Sequence, residues 1–86
     1  MVQRLHYHYN MPTLHRLPTC VVTMYADDHL PPHFHVRMND GREVLLEIAT
    51  LEMLRGSVAR RELLDALAWA KLMQPWLAEK WKELNP

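Results

Sequence analysis

The chain has one cysteine, two glycines and one phenylalanine in 86 residues, and its ten Lys+Arg balance ten Asp+Glu to a formal net charge of zero. A lone Cys20 cannot close an internal disulfide, and no apolar run is long enough for a signal peptide or a membrane span, so the sequence reads as cytoplasmic with no membrane partner. The charge balance excludes a broad basic surface of the kind that binds nucleic acid indiscriminately. There is no P-loop, no GxGxxG, no CxxC and no serine nucleophile motif, and repeats and low-complexity segments are absent. Histidine is missing from the whole second part of the chain: all six (His6, His8, His15, His29, His33, His35) come before residue 36.

What is present suffices for one fold. A hydrophobic share of 49% against a charged share of 23% excludes an intrinsically disordered polyelectrolyte. A chain of this length holds a single small core, whose burial energy and ordering entropy nearly cancel. A bound metal or a partner subunit is therefore expected as a further source of stability.

Residues 1–10, MVQRLHYHYN, show no convincing apolar face and are assigned as an N-terminal extension or an edge strand, leaving residues 11–86 as the domain. Cys20 to Tyr25 is short and rich in β-branched residues, which predicts a strand. It gives way to Ala26-Asp27-Asp28-His29-Leu30-Pro31-Pro32, where two carboxylates and a proline pair enforce a loop. His33 to Met38 and about Arg42 to Ile48 form a hairpin. A turn of two residues would mix apolar and acidic side chains on one face. A loop of Asn39-Asp40-Gly41, with Gly41 in the left-handed region, sorts them instead. Phe34, Val36, Met38, Val44, Leu46 and Ile48 then share a core face, while His33 faces Glu47, His35 faces Leu45 and Arg37 faces Glu43 on the other.

Thr50 to Arg55 is expected to form a short helical turn ending at Gly56, with Ser57 capping a helix over about Val58–Leu84 that Pro75 kinks or splits. Leu63, Ala66, Leu67, Ala70, Met73, Leu77, Trp81 and Leu84 form its packing stripe. Trp69, Leu72 and Trp76 make a second patch, which reads as a protein interface. The expected fold is α+β: a small, three-stranded, mainly antiparallel sheet covered by a long C-terminal helix, with homo-oligomerisation through a sheet edge or this patch.

The segment His29-Leu30-Pro31-Pro32-His33-Phe34-His35 concentrates the chemistry. Alternation puts His33 and His35 on one side of a strand, and the diproline stiffens the loop that presents His29. One reading is a divalent-metal site, such as zinc, held by His29, His33, His35 and Glu47, with Asp28, Pro31 and Pro32 in support. A second is metal-free RNA cleavage, with His33 and His35 transferring protons and Arg37 contacting phosphate. A third is structural, the rings bonding to Asp28, Glu47 or loop carbonyls. Cys20, in an apolar strand, reads as a small buried side chain.

Met11-Pro12-Thr13, Met24-Tyr25, Asp28 to Val36, Leu51 to Gly56 and the run from Arg60 to Ala70 together resemble a bacterial family known as domain of unknown function 4160, over about residues 11–84. Members of that family typically begin at the position of Met11. They are often encoded beside a small protein of the domain of unknown function 2442 family, in an arrangement like that of a toxin and its antitoxin. The resemblance thus implies a protein partner, and marks His29, Pro31, Pro32, His33 and His35 as motif positions without assigning roles. Where this chain has Met73-Gln74-Pro75, family helices usually continue with a histidine and acidic residues. The leading expectation is a component of a toxin-antitoxin-like module that cleaves RNA. The alternative is a non-enzymatic metal-binding or protein-interaction module.

Overall fold

The computed structural model describes residues 12–86. The expected extension or edge strand over 1–10, with His6 and His8, lies outside the described residues. From Thr13 onward the chain forms β1 (Thr13–Arg16), β2 (Cys20–Thr23), β3 (His33–Met38), β4 (Glu43–Glu47) and β5 (Met53–Arg55). A 3₁₀ turn over Arg60–Leu63 then leads into the helix α1 (Leu64–Leu84). The strands make one antiparallel sheet in the order of the chain, β1-β2-β3-β4-β5. The α+β class is therefore as expected, with five strands in place of three.

The hairpin of β3 and β4 follows from its turn. Gly41 has φ +97°, its N–H donates to the Met38 carbonyl at 2.9 Å, and the Met38 N–H donates to Arg42 at 2.7 Å. The extra loop residue sets the register at His33 with Glu47, His35 with Leu45 and Arg37 with Glu43. On the other flank of β3, Val22 faces Val36 and Thr23 faces His35. Alternation then delivers Phe34, Val36, Val44 and Leu46 to one continuous core with Met24, Leu63, Ala70 and Leu77. Leu63, Ala66, Leu67, Ala70, Leu77 and Trp81 are buried as the stripe predicts, with Met73 and Leu84 partly so. Cys20 is buried in β2, and burial pushes its thiol pKa up against the opposing hydrogen bond from Thr19.

Two strands escaped the sequence pattern. β1 is a four-residue TLHR segment with no apolar alternation, and its pairing with β2 defines it. Leu51 to Arg55 is composed of good helix formers, yet Met53–Arg55 pairs with β4 where a helical turn over Thr50 to Arg55 is expected. Leu51 takes φ +62°, and the Glu47 N–H donates to the Glu52 carbonyl at 2.9 Å, which turns the chain back along the sheet. Ser57 does not cap the helix either. The first turn starts after Ala59, whose N–H donates to Glu62 Oε2 at 3.2 Å. The helix α1 runs through Pro75 as one element. Lys71 and Pro75 are both exposed, so water can replace the backbone N–H that proline lacks. No helix among the described residues is long and apolar enough to cross a membrane.

The two glycines separate a conformational constraint from a steric one. A Cβ on Gly41 would meet nothing within 4 Å, whereas one on Gly56 (φ +108°) would lie 2.5 Å from the Glu43 carbonyl oxygen and 2.7 Å from Val44 Cγ1. Gly41→Ala is expected to cost about 1 kcal/mol and Gly56→Ala about 2–4 kcal/mol, as measured by urea denaturation.

Candidate functional site

The loop between β2 and β3 folds back so that Asp28 meets the two histidines at the start of β3. His33 Nε2 lies 3.0 Å and His35 Nε2 3.2 Å from the same oxygen, Asp28 Oδ2. The opposite nitrogens are also engaged: His33 Nδ1 is 2.8 Å from the Pro31 carbonyl oxygen, and His35 Nδ1 is 3.2 Å from Glu43 Oε2. The other Asp28 oxygen, Oδ1, accepts the His29 backbone N–H at 2.8 Å. His33 is fully buried and His35 is nearly so, although both alternate out of the core face. Tyr25 lies against the His35 ring at 4.2 Å between centroids, and Trp81 against His33 at 5.3 Å.

The helix end holds the loop in place. The Asp28 N–H donates to Asn85 Oδ1 at 2.7 Å, and the Asp27 N–H, at a residue with φ +56°, donates to the Leu84 carbonyl at 3.3 Å. Asn85 Nδ2 in turn donates to the Trp81 carbonyl at 3.2 Å. A cleft of about 390 Å³ lined by Asp27, Asp28, Leu30, Trp81, Asn85 and Pro86 opens beside this junction. Burial pushes the Asp28 pKa up, but the His29 backbone N–H and the His35, His33 and His29 rings outweigh it and hold the carboxyl below its ordinary range.

The described residues thus bring Asp28, His33 and His35 together, with one ligand atom from each lying within 4.8 Å of the others, near enough to hold a metal ion. His29 stands at the margin, exposed, stacked on His33 at 4.8 Å with its Nε2 3.6 Å from Asp28 Oδ1. Glu47 faces His33 across the ladder but is not in this group, because its Oε1 accepts the Thr50 hydroxyl at 2.9 Å. Arg37 is exposed and lines a separate hollow with Val21, Met38, Asn39 and Gly41. Pro31 supplies a carbonyl to His33, and Pro32 a carbonyl to the Ile48 N–H at 3.1 Å. Trp69, Leu72 and Trp76 lie on α1 and take no part in the cluster.

Glu43, Tyr25 and Asn85 were missed by sequence reasoning. The signal for Glu43 was in the register, since it lies diagonally across the ladder from His35. Asn85, before Pro86, carried the signature of a helix stop. Nothing local marked Tyr25.

Removing Asp28 strands two buried imidazole nitrogens, whereas removing Glu47 releases one exposed hydroxyl. Asp28→Ala is expected to destabilise the metal-free protein by about 2–3 kcal/mol and Glu47→Ala by less than about 1 kcal/mol, as read by thermal and urea unfolding.

Comparison with curated proteins and with solved structures finds no match. The model of one family, described as Domain of unknown function (DUF4160), matches residues 20–82, well over half of the 86-residue chain, and takes in the loop, both histidines of β3 and most of α1. The chain belongs to the DUF4160 family.

Proposed function

We propose that this protein is a divalent-metal-binding domain, with Asp28 Oδ2, His33 Nε2 and His35 Nε2 as ligands and the exposed His29 at the mouth as a fourth. What carries the reading is hydrogen-bond accounting. A backbone carbonyl and an ionised carboxylate only accept, so His33 Nδ1 and His35 Nδ1 must each carry a proton toward Pro31 and Glu43. In a neutral imidazole the Nε2 is then a lone pair, and here two such lone pairs face one carboxylate oxygen. A cation between them resolves the repulsion: either two more protons or one metal ion.

The donor set suits a metal. Metal-binding imidazoles commonly donate the second ring N–H to a carbonyl or carboxylate, the arrangement that Pro31 and Glu43 provide. Bonds of about 2.1 Å in a tetrahedron separate ligand atoms by about 3.4 Å, close to the 3.0 and 3.2 Å between Asp28 and the two rings, and the three ligand atoms, within 4.8 Å of one another, would draw together around an ion. Two histidines and one carboxylate suit zinc and the neighbouring transition ions, and such an ion, when bound, supplies a Lewis acid. Asp28, His33 and His35 would hold it, Pro31 and Glu43 would fix the ring orientations, and Trp81 and Tyr25 would limit water.

The RNA-cleavage reading draws less support from the same residues. His33 has no exposed surface, and Arg37 lies in another hollow. A role in a toxin-antitoxin-like module is compatible with a metal site and would add a protein partner to it.

Calorimetric titration of chelator-treated protein with Zn²⁺ and Co²⁺ is expected to give one site per chain, with an unfolding stability gain of about 2–3 kcal/mol at a hundredfold excess over Kd. The double variant His33→Ala, His35→Ala should lose both signals, and Glu47→Gln should keep them. Absence of binding heat and of a melting shift for both ions in the parent protein overturns the metal reading. Metal-independent cleavage of RNA, lost in a folded His35→Gln variant, would replace it with the catalytic one.

A further inference from the structure

α1 carries a second ordered feature on a face distinct from its buried stripe. At about 100° per residue, Asp65, Trp69, Leu72, Trp76 and Lys80 fall within an arc of about 80°. Leu72 is 81% exposed and Trp76 37% exposed. Trp69 is half-buried, with His15 of β1 stacked on it at 4.8 Å and Trp76 edge-on to it at 6.4 Å. These contacts hold both indoles in fixed orientations beside an apolar side chain that nothing described covers. Rigid aromatic anchors around an exposed leucine are the composition of an interface centre.

The order of the stripe identifies its occupant. Reversed about a point between Leu72 and Met73, its two outer pairs exchange: Trp69 falls opposite Trp76 and Asp65 falls opposite Lys80, with Leu72 half a residue from the centre. The first pair spans about 10 Å along the axis and the second about 22 Å, both within the length of α1. Among the described residues Asp65 has no ion-pair partner. Lys80 is held only by the exposed Glu83 at 3.1 Å, with its ammonium 5.9 Å from the Trp76 ring centre. An exposed pair of this kind is weak, so Lys80 is readily transferred to a better-placed carboxylate. Apolar and charged positions that are complementary under reversal are what a two-fold interface requires, because each patch must fit its own copy.

We infer that a second copy of this chain docks on α1, the two helices antiparallel across a two-fold axis near Leu72, with Asp65 of each copy paired to Lys80 of the other. The interface is independent of the histidine cluster, and either can fail alone.

Sedimentation equilibrium of the full chain at about 100 μM, a concentration that populates a micromolar complex, is expected to give twice the 10.2 kDa of one chain. Leu72→Glu, at an exposed position, should give a monomer with an unchanged far-UV spectrum. The charge reversals Asp65→Lys and Lys80→Asp should each weaken the dimer by about tenfold, and the double reversal should restore it. A monomeric parent protein overturns the inference. If deleting residues 1–10 then makes that monomer dimerise, the stripe belongs to the chain's own N-terminal segment. A dimer indifferent to Leu72→Glu and to both reversals also overturns it, placing the contact elsewhere, such as a sheet edge.

Discussion

One residue, Asp28, joins three parts of this small domain. Asp28 belongs to a loop, its side chain reaches both histidines of β3, and its backbone N–H is held by Asn85 beyond the last turn of α1. Without the Asp28 carboxylate two buried rings would lose their common partner, while the backbone N–H groups of Asp27 and Asp28 would still reach the helix end. A partly buried charge of this kind is tolerable only when its acceptor sites are filled. Here the His29 N–H fills one oxygen and the two Nε2 positions surround the other, so no buried side-chain polar atom among the described residues is left without a partner.

The same satisfaction explains why the two strand faces behave differently from a half-exposed sheet. In an antiparallel sheet with one wet face, His33 and His35 would point to water while Phe34 and Val36 filled the core. Instead both histidines are buried beneath the loop, Trp81 and Tyr25. The domain thus encloses a small polar centre beside its apolar one. A polar centre adds little stability for its size when only protons occupy it, and an ion, if bound, would convert the same contacts into a crosslink between loop and strand. For a chain with no possible internal disulfide, such a crosslink would serve the purpose that disulfides serve in secreted domains of similar length.

Much of this was legible in the residues. The hairpin register follows from Gly41 and from the need to keep Glu43 and Glu47 off the core, and the pairing of His33 with Glu47 is the one observed. The buried stripe of α1 follows from periodicity. Three things were not legible because they depend on which segments meet and not on the pattern of any one segment. β1 and β5 are strands only by virtue of β2 and β4. The choice of Asp28 over Glu47 depends on how the loop folds back, since Glu47 is adjacent to His33 in the ladder yet turns to Thr50. Asn85 acts on Asp28 across 57 positions of sequence, a distance over which no local pattern carries information.

The helix then has two tasks that its sequence keeps apart. Trp81, on the buried stripe, presses on His33, and the turn beyond it anchors the loop, so the C-terminal end of α1 belongs to the polar centre. Trp69 and Trp76, about a third of a turn around the axis, belong to the outer face. Pro75 lies between Trp69 and Trp81 in sequence without breaking the helix, so both faces are set by a single rigid element. A second copy docked on the outer face would bear on the same rod whose end positions Asp28. The two faces thus share one rod, with no contact between the outer face and the histidines.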